Sequence, residues 1–157
     1  MEDIHSQAIK KLDNFINHDL PQYSRDRNYD FGATHRNNVS MLSKYISHRI
    51  INEYYVVKRS LDKYKLNKIE KYIQEVFWRI YWKGWLEHRP KVWDDYLSYS
   101  VNHVDNEALE KAHSGTTDIE CFNDWVDELK STNYLHNHTR MWFASIWIFT
   151  LDLPWQL

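Results

Sequence analysis

Glycine, proline and cysteine are scarce in this chain, which has three, three and one of them among 157 residues. Tight turns depend on glycine and proline, so their shortage disfavours hairpin-rich folds and favours long helices joined by short polar links. We therefore predict an all-α helical bundle. The single cysteine, Cys121, excludes an internal disulfide and suits a reducing compartment.

Long apolar runs and a surplus of charge are also missing. No stretch approaches the roughly 20 apolar residues of a transmembrane helix, and the acidic start Met1-Glu2-Asp3 does not resemble a secretory signal. We therefore expect a cytoplasmic protein with no membrane partner. The formal charge of −2 gives no general attraction to phosphates, so binding of DNA by the chain alone is expected to be weak.

Aromatic side chains are abundant instead, with eight Trp, eleven Tyr and a total Phe, Trp and Tyr content of 16%. This exceeds what the packing of a bundle of this size requires. Tryptophan in particular rarely buries fully, because its ring is large and its N–H needs a partner. Some of these rings are expected to face a ligand, a partner or another piece of protein.

Apolar spacing predicts five main helices. They cover 3–19, Lys65–His88, 106–113, 119–130 and Tyr134 to about Leu151. The longest is apolar around much of its circumference and is expected to lie centrally. Ser40 and Ser47 are candidate N-caps of two further helices. Irregular structure is predicted over 23–38 and 92–101, and Asn133 is expected to end the fourth helix.

Polar groups concentrate at the start of the last helix, where Asn137, His138 and Arg140 follow His136. A buried polar group without a partner costs about 1–3 kcal/mol, so something polar is expected to meet them. His136 and His138 lie two residues apart, on roughly opposite sides of a helix, which excludes a zinc site built from this pair. No metal site is predicted. Cys121 lacks a histidine at the spacing of a catalytic thiol, and no glycine-rich phosphate loop is present.

Two other sets of residues each allow two interpretations. The segment Ser40-Met41-Leu42-Ser43 offers hydroxyls and backbone N–H groups at a helix start, which suits an anion such as a diphosphate. Ordinary helix capping explains the same residues and is the commoner role. Glu75 and Arg79 lie four residues apart on the long helix. They fit either an ion pair at the edge of the helix or the wall of a polar cavity.

Four segments, in the right order and covering most of the chain, resemble the flavin-binding domain of DNA photolyases and cryptochromes. The stretch from Tyr23 to Arg27 is similar to that domain's Y-x-x-x-R-[DN] element, and Val39–Tyr45 is similar to T-S-x-L-S-P-Y-L. Glu75–Tyr81 resembles E-L-I-W-R-E-F-Y. The last match joins Gly115–Phe122 with Leu129–Ser145 and resembles the G-x-T-G-x-P and W-M-H-N-R-x-R-M-x-x-A-S region.

The resemblance implies an FAD cofactor and a role for each matching residue. The implied cofactor-binding residues are Tyr23, Ser40, Leu42, Ser43, Glu75, Arg79, Asn137 and Arg140. Damaged DNA would meet Arg27, Trp78, His138 and Met141, because aromatic planes in this family stack on an extruded base. Glu75 and Asn137 are also implied as catalytic residues, together with Trp155, which falls on a member of the family's tryptophan electron-transfer chain.

The chain departs from the family pattern at several places. Val39 removes one hydroxyl from the phosphate-binding element, Lys44 replaces proline, and His138 stands where the family has an arginine that contacts DNA. The resemblance also implies that residues 1–157 are the first half of the domain. The antenna domain and the C-terminal half, with its D-x-D and W-x-W elements, have no counterpart here.

We therefore expect an incomplete photolyase or cryptochrome-type domain. Its implied role is light-driven DNA repair, as a deoxyribodipyrimidine photolyase-like lyase, or blue-light sensing. Both roles require a second polypeptide or a second copy that completes the domain. The alternative is a helical protein-interaction module, or a truncated fragment, that binds no flavin.

Overall fold

The computed structural model describes residues 3–99 and 106–157, and within these ranges it is helical and has no strand. The helices are α1 (Ile4–His18), α2 (Tyr23–Asp26), α3 (Ser43–Ser47), α4 (Glu53–Lys63), α5 (Leu66–Glu87), α6 (Pro90–Leu97), α7 (Asn106–Ser114), α8 (Glu120–Thr132) and α9 (Asn137–Ser145). A 3₁₀ turn spans Leu20–Gln22, and a π-helical turn spans Ile146–Thr150. The predicted all-α class is confirmed.

The chain divides into two compact units. Unit 1 comprises Met1–Tyr29 and His35–His88, and unit 2 comprises Asp30–Thr34 and Arg89–Leu157. Each unit has its own cluster of buried apolar side chains. The short segment Asp30–Thr34 therefore belongs with residues that follow it by more than fifty positions.

Unit 1 is built on the amphipathic helix predicted over 3–19. The side chain of Asp3 caps α1 by accepting hydrogen bonds from the backbone N–H groups of His5 and Ser6, at 2.8 and 3.3 Å. Pro21 follows the end of the helix. Its apolar stripe packs against α3, α4 and the first half of α5, and this core contains Ala8, Leu12, Phe15, Ile16, Leu20, Leu42, Tyr45, Ile46, Ile51, Val56, Ile69, Tyr72, Ile73 and Val76.

The central position predicted for α5 is correct only for its first half. Ile69, Tyr72, Ile73 and Val76 are buried in the core of unit 1. From Phe77 onward the apolar residues are exposed, and an all-round apolar pattern therefore does not mark a core helix here. None of the helices in the described ranges, α5 included, is long and apolar enough to cross a membrane.

Both predicted serine N-caps are wrong. Ser40 precedes the start of α3 by three residues, and Ser47 is the last residue of that helix rather than the cap of the next one. The side chain of Asn52 caps α4 instead, by accepting a hydrogen bond from the backbone N–H of Tyr55 at 2.8 Å. Met41 and Arg49, on either side of α3, adopt positive φ angles of 54° and 58°. This is a left-handed conformation that non-glycine residues rarely occupy, so no helix continues through either residue.

The predicted loop over 23–38 is largely correct but contains the single turn of α2. The irregular structure predicted over 92–101 is wrong for its described part. Pro90 occupies the first turn of α6, where its fixed φ favours a helix start, and the helix continues to Leu97. The remainder of that stretch, from residue 100, lies outside the described residues.

Unit 2 packs α7, α8 and α9 around Phe122, with Ala112, Val126, Trp147 and Leu153 also buried. The rings of Phe122 and Phe143 stack with centroids 4.5 Å apart. Asn133 ends α8 as predicted, because it adopts a left-handed conformation at φ 54° and its N–H donates to the carbonyl of Leu129 at 2.8 Å. The final helix starts at Asn137 rather than Tyr134.

Candidate functional site

The carboxylate of Glu75 on α5 pairs with the guanidinium of Arg27, which follows α2. Both side chains are partly exposed, at 32% and 23%. This pairing answers one question left open by the sequence, since the partner of Glu75 is not its helix neighbour Arg79. The same ion pair neutralises part of the charge of Arg27, the residue predicted to contact DNA. Less positive charge therefore remains available to a phosphate.

Arg79 extends from α5 to α3 in the same unit. Its Nη2 donates to the hydroxyl oxygen of Ser47 at 2.8 Å. Its Nε is buried and has no hydrogen-bond partner among the described residues. A buried donor without an acceptor is rare and costs free energy, so this atom is where an oxygen of a ligand would be most useful. Ser47 was not predicted as a site residue.

The segment Ser40–Ser43 leads directly into α3. Ser40 shares a hydrogen bond with the buried phenol of Tyr72 on α5, and Leu42 is buried in the core. Met41 between them has the left-handed φ of 54°. These anchors on both sides hold a backbone conformation that costs about 1 kcal/mol or more for a non-glycine residue. Ser43 starts α3, which is a single turn with no side-chain cap.

The ring of Tyr72 connects Tyr23 with this segment. The two rings meet edge to face with centroids 5.1 Å apart, and Phe15 contacts both of them, at 6.0 Å from Tyr23 and 5.1 Å from Tyr72. Tyr72 was missed by sequence reasoning. It occupies an ordinary core position of α5, and no local signal distinguishes such a tyrosine from a packing residue.

The polar cluster at the start of α9 belongs to unit 2, where Thr139 within it meets a carboxylate. Thr139 is fully buried, and its hydroxyl donates to the Oδ2 atom of Asp30 at 2.6 Å. The other Asp30 oxygen, Oδ1, accepts from the N–H of Gly32 at 3.0 Å. Asp30 was not predicted, because it lies 109 positions from Thr139 in the sequence.

Among the other members of the cluster, the Nδ1 atom of His138 is buried and has no hydrogen-bond partner among the described residues. His136 is fully buried and caps the helix, with its Nδ1 accepting from the N–H of His138 at 3.3 Å. Arg140 donates from Nε to the carbonyl of Leu135 at 3.0 Å, and its guanidinium lies over the ring of Tyr134 at 5.2 Å. Asn137 is exposed. The described residues include no group of three or more potential metal ligands.

The aromatic residues predicted to meet DNA or carry electrons are about half exposed. The exposed fractions are 48% for Trp78, 53% for Met141 and 52% for Trp155. Trp155 contacts Tyr96 on α6, with ring centroids 6.1 Å apart, and Tyr96 stacks on Trp93 at 5.4 Å. His138 contacts the ring of Trp142 at 6.1 Å, which places a histidine and an exposed indole side by side on α9.

Replacing Thr139 by valine is expected to lower the stability of unit 2 by about 1–2 kcal/mol. Valine fills the same buried volume, but the hydroxyl that donates to Asp30 is lost and a carboxylate oxygen is left without that donor. Urea denaturation followed by circular dichroism measures the change. Thr132→Val is the matched control, since that hydroxyl is exposed and bonds only to backbone groups of nearby residues. Equal losses in the two variants would contradict the role of the Asp30 contact.

No protein-family model matches the chain, and no curated protein matches it in sequence. Among solved structures, it is similar to a bacterial class III photolyase from Agrobacterium tumefaciens, with a TM-score of 0.79 and 24% sequence identity over 97% of this chain. The match covers 32% of the photolyase chain. The chain therefore has a photolyase-like helical fold, and it spans about a third of that photolyase.

Proposed function

We propose that this chain is a partial FAD-binding domain of the photolyase and cryptochrome type, with a role in light-driven DNA repair or blue-light sensing. The observation that carries the proposal is the helical fold shared with a photolyase over 97% of the chain. The four sequence segments that resemble the flavin-binding domain support it independently. Because the match covers 32% of the photolyase, the proposal assigns the remaining parts of a complete site to protein outside residues 1–157.

The residues of unit 1 fit the chemistry of FAD. The buried Nε of Arg79 lacks an acceptor among the described residues, and the phosphates and carbonyls of FAD are acceptors. In the proposal, Tyr23, Ser40, Leu42 and Ser43 hold the phosphates and ribityl chain. FAD, when bound, supplies light-driven one-electron transfer. The protein's own part is to orient Glu75, whose carboxylate Arg27 holds in place.

The proposal keeps the remaining roles that the resemblance implies. Asn137 and Arg140 of unit 2 are cofactor-binding residues, and Trp155 is an electron-transfer residue. Trp78, His138 and Met141 contact damaged DNA together with Arg27, through surfaces that are exposed or partly exposed. The negative net charge makes this contact weak unless further protein contributes positive charge.

FAD titration tests the proposal. We expect the chain to bind FAD with a Kd weaker than about 1 μM, equivalent to less than about 8 kcal/mol of binding free energy, because an open site leaves much of the ligand in water. Quenching of flavin fluorescence measures binding. Arg79→Gln is expected to weaken it by about tenfold, since a hydrogen bond to a charged group contributes about 1.5–3 kcal/mol.

Lys83→Gln is the matched control for the titration. Lys83 lies one turn further along α5 and is exposed, so its loss removes the same charge without touching the proposed site. Equal effects of the two substitutions would argue against a specific role for Arg79. The absence of any FAD binding at up to about 0.1 mM, a range that detects interactions of about 5–6 kcal/mol, would contradict the proposed function.

A helical interaction module is the second candidate function. The specific observation that favours it is the row of aromatic residues on the second half of α5, where Phe77, Trp78, Tyr81 and Trp82 are each about half exposed. Large exposed apolar patches usually mark interaction sites. A chain that stays colourless after incubation with FAD but forms a stable complex through this surface would support the interaction module and exclude the flavoprotein.

A further inference from the structure

The outer face of α5 changes its chemistry halfway along the helix. The face opposite the buried Ile69, Tyr72, Ile73 and Val76 begins with polar and exposed residues, namely Lys68, Lys71 and Gln74. With 3.6 residues per turn, the same face continues into six apolar residues: Phe77, Trp78, Tyr81, Trp82, Trp85 and Leu86. We call these six residues the aromatic face. It points away from the core of unit 1, so that core cannot cover it.

The rings of the aromatic face contact one another along the helix. Trp78 stacks on Trp82 with centroids 6.2 Å apart, and Trp82 meets Trp85 edge to face at 5.6 Å. Tyr81 lies edge to face against Trp78 at 5.3 Å. The rings thus form one continuous surface rather than isolated side chains. Such a surface can be buried as a unit by another flat apolar surface.

The area of the aromatic face is close to what a stable dimer requires. Five of its members are each about half exposed, from 48% for Trp78 to 54% for Tyr81, and Trp85 is less exposed than these. This corresponds to roughly 500 Å² of apolar surface, given the size of these side chains. Two such faces would bury about 1,000 Å² together, and specific interfaces begin near 1,200 Å² in total. Neighbouring residues at the rim can supply the small remainder.

The spacing of the six residues is symmetric along the helix, so the aromatic face matches the same face on a second copy of the chain. In two antiparallel helices related by a two-fold axis between Tyr81 and Trp82, each residue of the aromatic face lies at the same level as another member of the face. Trp78 lies opposite Trp85 of the second copy and Tyr81 opposite Trp82, while Phe77 and Leu86 share a level at the two edges of the contact. A two-fold interface uses the same surface on both subunits, so a self-matching pattern of this kind is what it requires.

Charge does not oppose this pairing. None of the six residues is charged, so the two-fold axis brings no like charges together at the centre of the contact. Of the positive side chains on this part of α5, Arg79 is turned toward α3, where it donates to Ser47 at 2.8 Å, and Lys83 lies outside the face on the helical wheel. Aromatic residues are enriched and charged residues are depleted at the centres of protein interfaces.

We propose that the aromatic face of α5 is a homodimer interface, in which the second halves of two α5 helices pack antiparallel about a two-fold axis between Tyr81 and Trp82. The occupant of the face is a second copy of this chain. The pairing buries the indole of Trp82 at the centre, where residues that contribute most to binding are usually found. The proposal does not depend on a bound flavin.

Sedimentation of the full chain at several concentrations tests the interface. The wild-type protein is expected to be a dimer, and Trp82→Glu is expected to weaken dimerisation by at least about 30-fold, the effect typical of a central interface residue. Tyr54→Glu is the matched control. Tyr54 is 74% exposed on α4 of the same unit, and its substitution should leave the dimer unchanged. Circular dichroism checks that both variants keep the helical fold.

Disulfide cross-linking tests the antiparallel register. In a Cys121→Ser background, which removes the one native cysteine, Trp78→Cys and Trp85→Cys are prepared as separate proteins, because these two positions face each other near the centre of the proposed contact. After mixing and oxidation, a cross-linked dimer is expected between the two variants, with little cross-linking of either variant alone. Cross-linking of each variant with itself would instead indicate parallel helices and overturn the proposed register.

Three results would overturn the interface itself. The first is a wild-type protein that stays monomeric at micromolar concentrations. The second is a dimer that Trp82→Glu leaves intact, since the contact would then lie elsewhere. The third is a dimer that Tyr54→Glu weakens as much as Trp82→Glu, because the effect would then be one of general surface charge.

Discussion

Replacing Phe122 by alanine is expected to destabilise unit 2 by about 3–5 kcal/mol, the range measured when a buried phenylalanine is truncated. Phe122 is fully buried and stacks on Phe143 with centroids 4.5 Å apart. Its ring also lies 6.5 Å from that of Trp147. Truncation removes both contacts and leaves a cavity that surrounding helices fill only in part. An effect of this size is a large fraction of the stability of a small unit.

Hydrogen exchange at the amides of α7 and α8 measures this loss in unit 2 directly. The matched control is Phe149→Ala, because Phe149 is 80% exposed, and the same chemical change there should alter stability by less than about 0.5 kcal/mol. The amides of α1 in unit 1 serve as an internal reference. Similar effects of the two phenylalanine substitutions would show that Phe122 is not the centre of a packed core.

The helices were predictable because their apolar spacing is local information. The pattern in α1 repeats over four turns and is interrupted by Pro21, so both its existence and its end follow from the sequence. The starts of α3 and α4 were not predictable in the same way. They depend on the left-handed backbone at Met41 and Arg49, which the burial of Leu42 and other tertiary contacts hold in place.

The second half of α5 shows a different limit of prediction. Apolar residues around a whole helix indicate burial, but the pattern does not state what buries them. The first half of α5 packs inside unit 1, whereas the aromatic face lies at the surface. The sequence alone cannot separate these two cases, because an obligate interface resembles a protein core in its apolar composition.

The candidate site was predictable only through family resemblance. Its residue types are common, and the contacts that give them meaning join distant positions. The partner of Glu75 is Arg27, 48 positions away, and that of Thr139 is Asp30, 109 positions away. Tyr72 and Ser47 were not predicted as site residues, for the same reason. The fold brings Tyr72 beside Ser40 and Ser47 beside Arg79, and only these contacts mark the two residues as part of the candidate site.

Trp78 connects the proposed function with the proposed interface. It belongs to the aromatic face of α5 and is also one of the residues proposed to stack on an extruded base. A second copy packed against this face would cover the indole. In the two proposals taken together, the dimer therefore cannot present Trp78 to DNA, and DNA binding through this ring requires the monomer.

Raising the pH from about 10 to about 12 is expected to reduce the stability of unit 1 by about 2–3 kcal/mol through Tyr72 alone. Burial raises the pKa of Tyr72 to about 12, and the hydrogen bond with Ser40 lowers it by a smaller amount. In the unfolded chain the phenol ionises near pH 10. The folded state therefore keeps a proton that the unfolded state releases between these two values, so stability is full below pH 10 and falls as pH rises to 12.

Tyr72→Phe isolates this contribution, because phenylalanine fills the same space and does not titrate. Near pH 8 the variant should be less stable than the wild type by about 1 kcal/mol, since the hydrogen bond with Ser40 is lost. The order of the two stabilities should reverse toward pH 12, where the wild type alone has lost the contribution of the neutral phenol.

Urea denaturation at pH 8, 10, 11 and 12, values set around the two pKa limits, gives the two stability curves. Tyr54→Phe serves as the control at an exposed position. Parallel curves for wild type and Tyr72→Phe across this range would show that the Tyr72 phenol is accessible to water, and that the Ser40 segment is not held as the fold suggests.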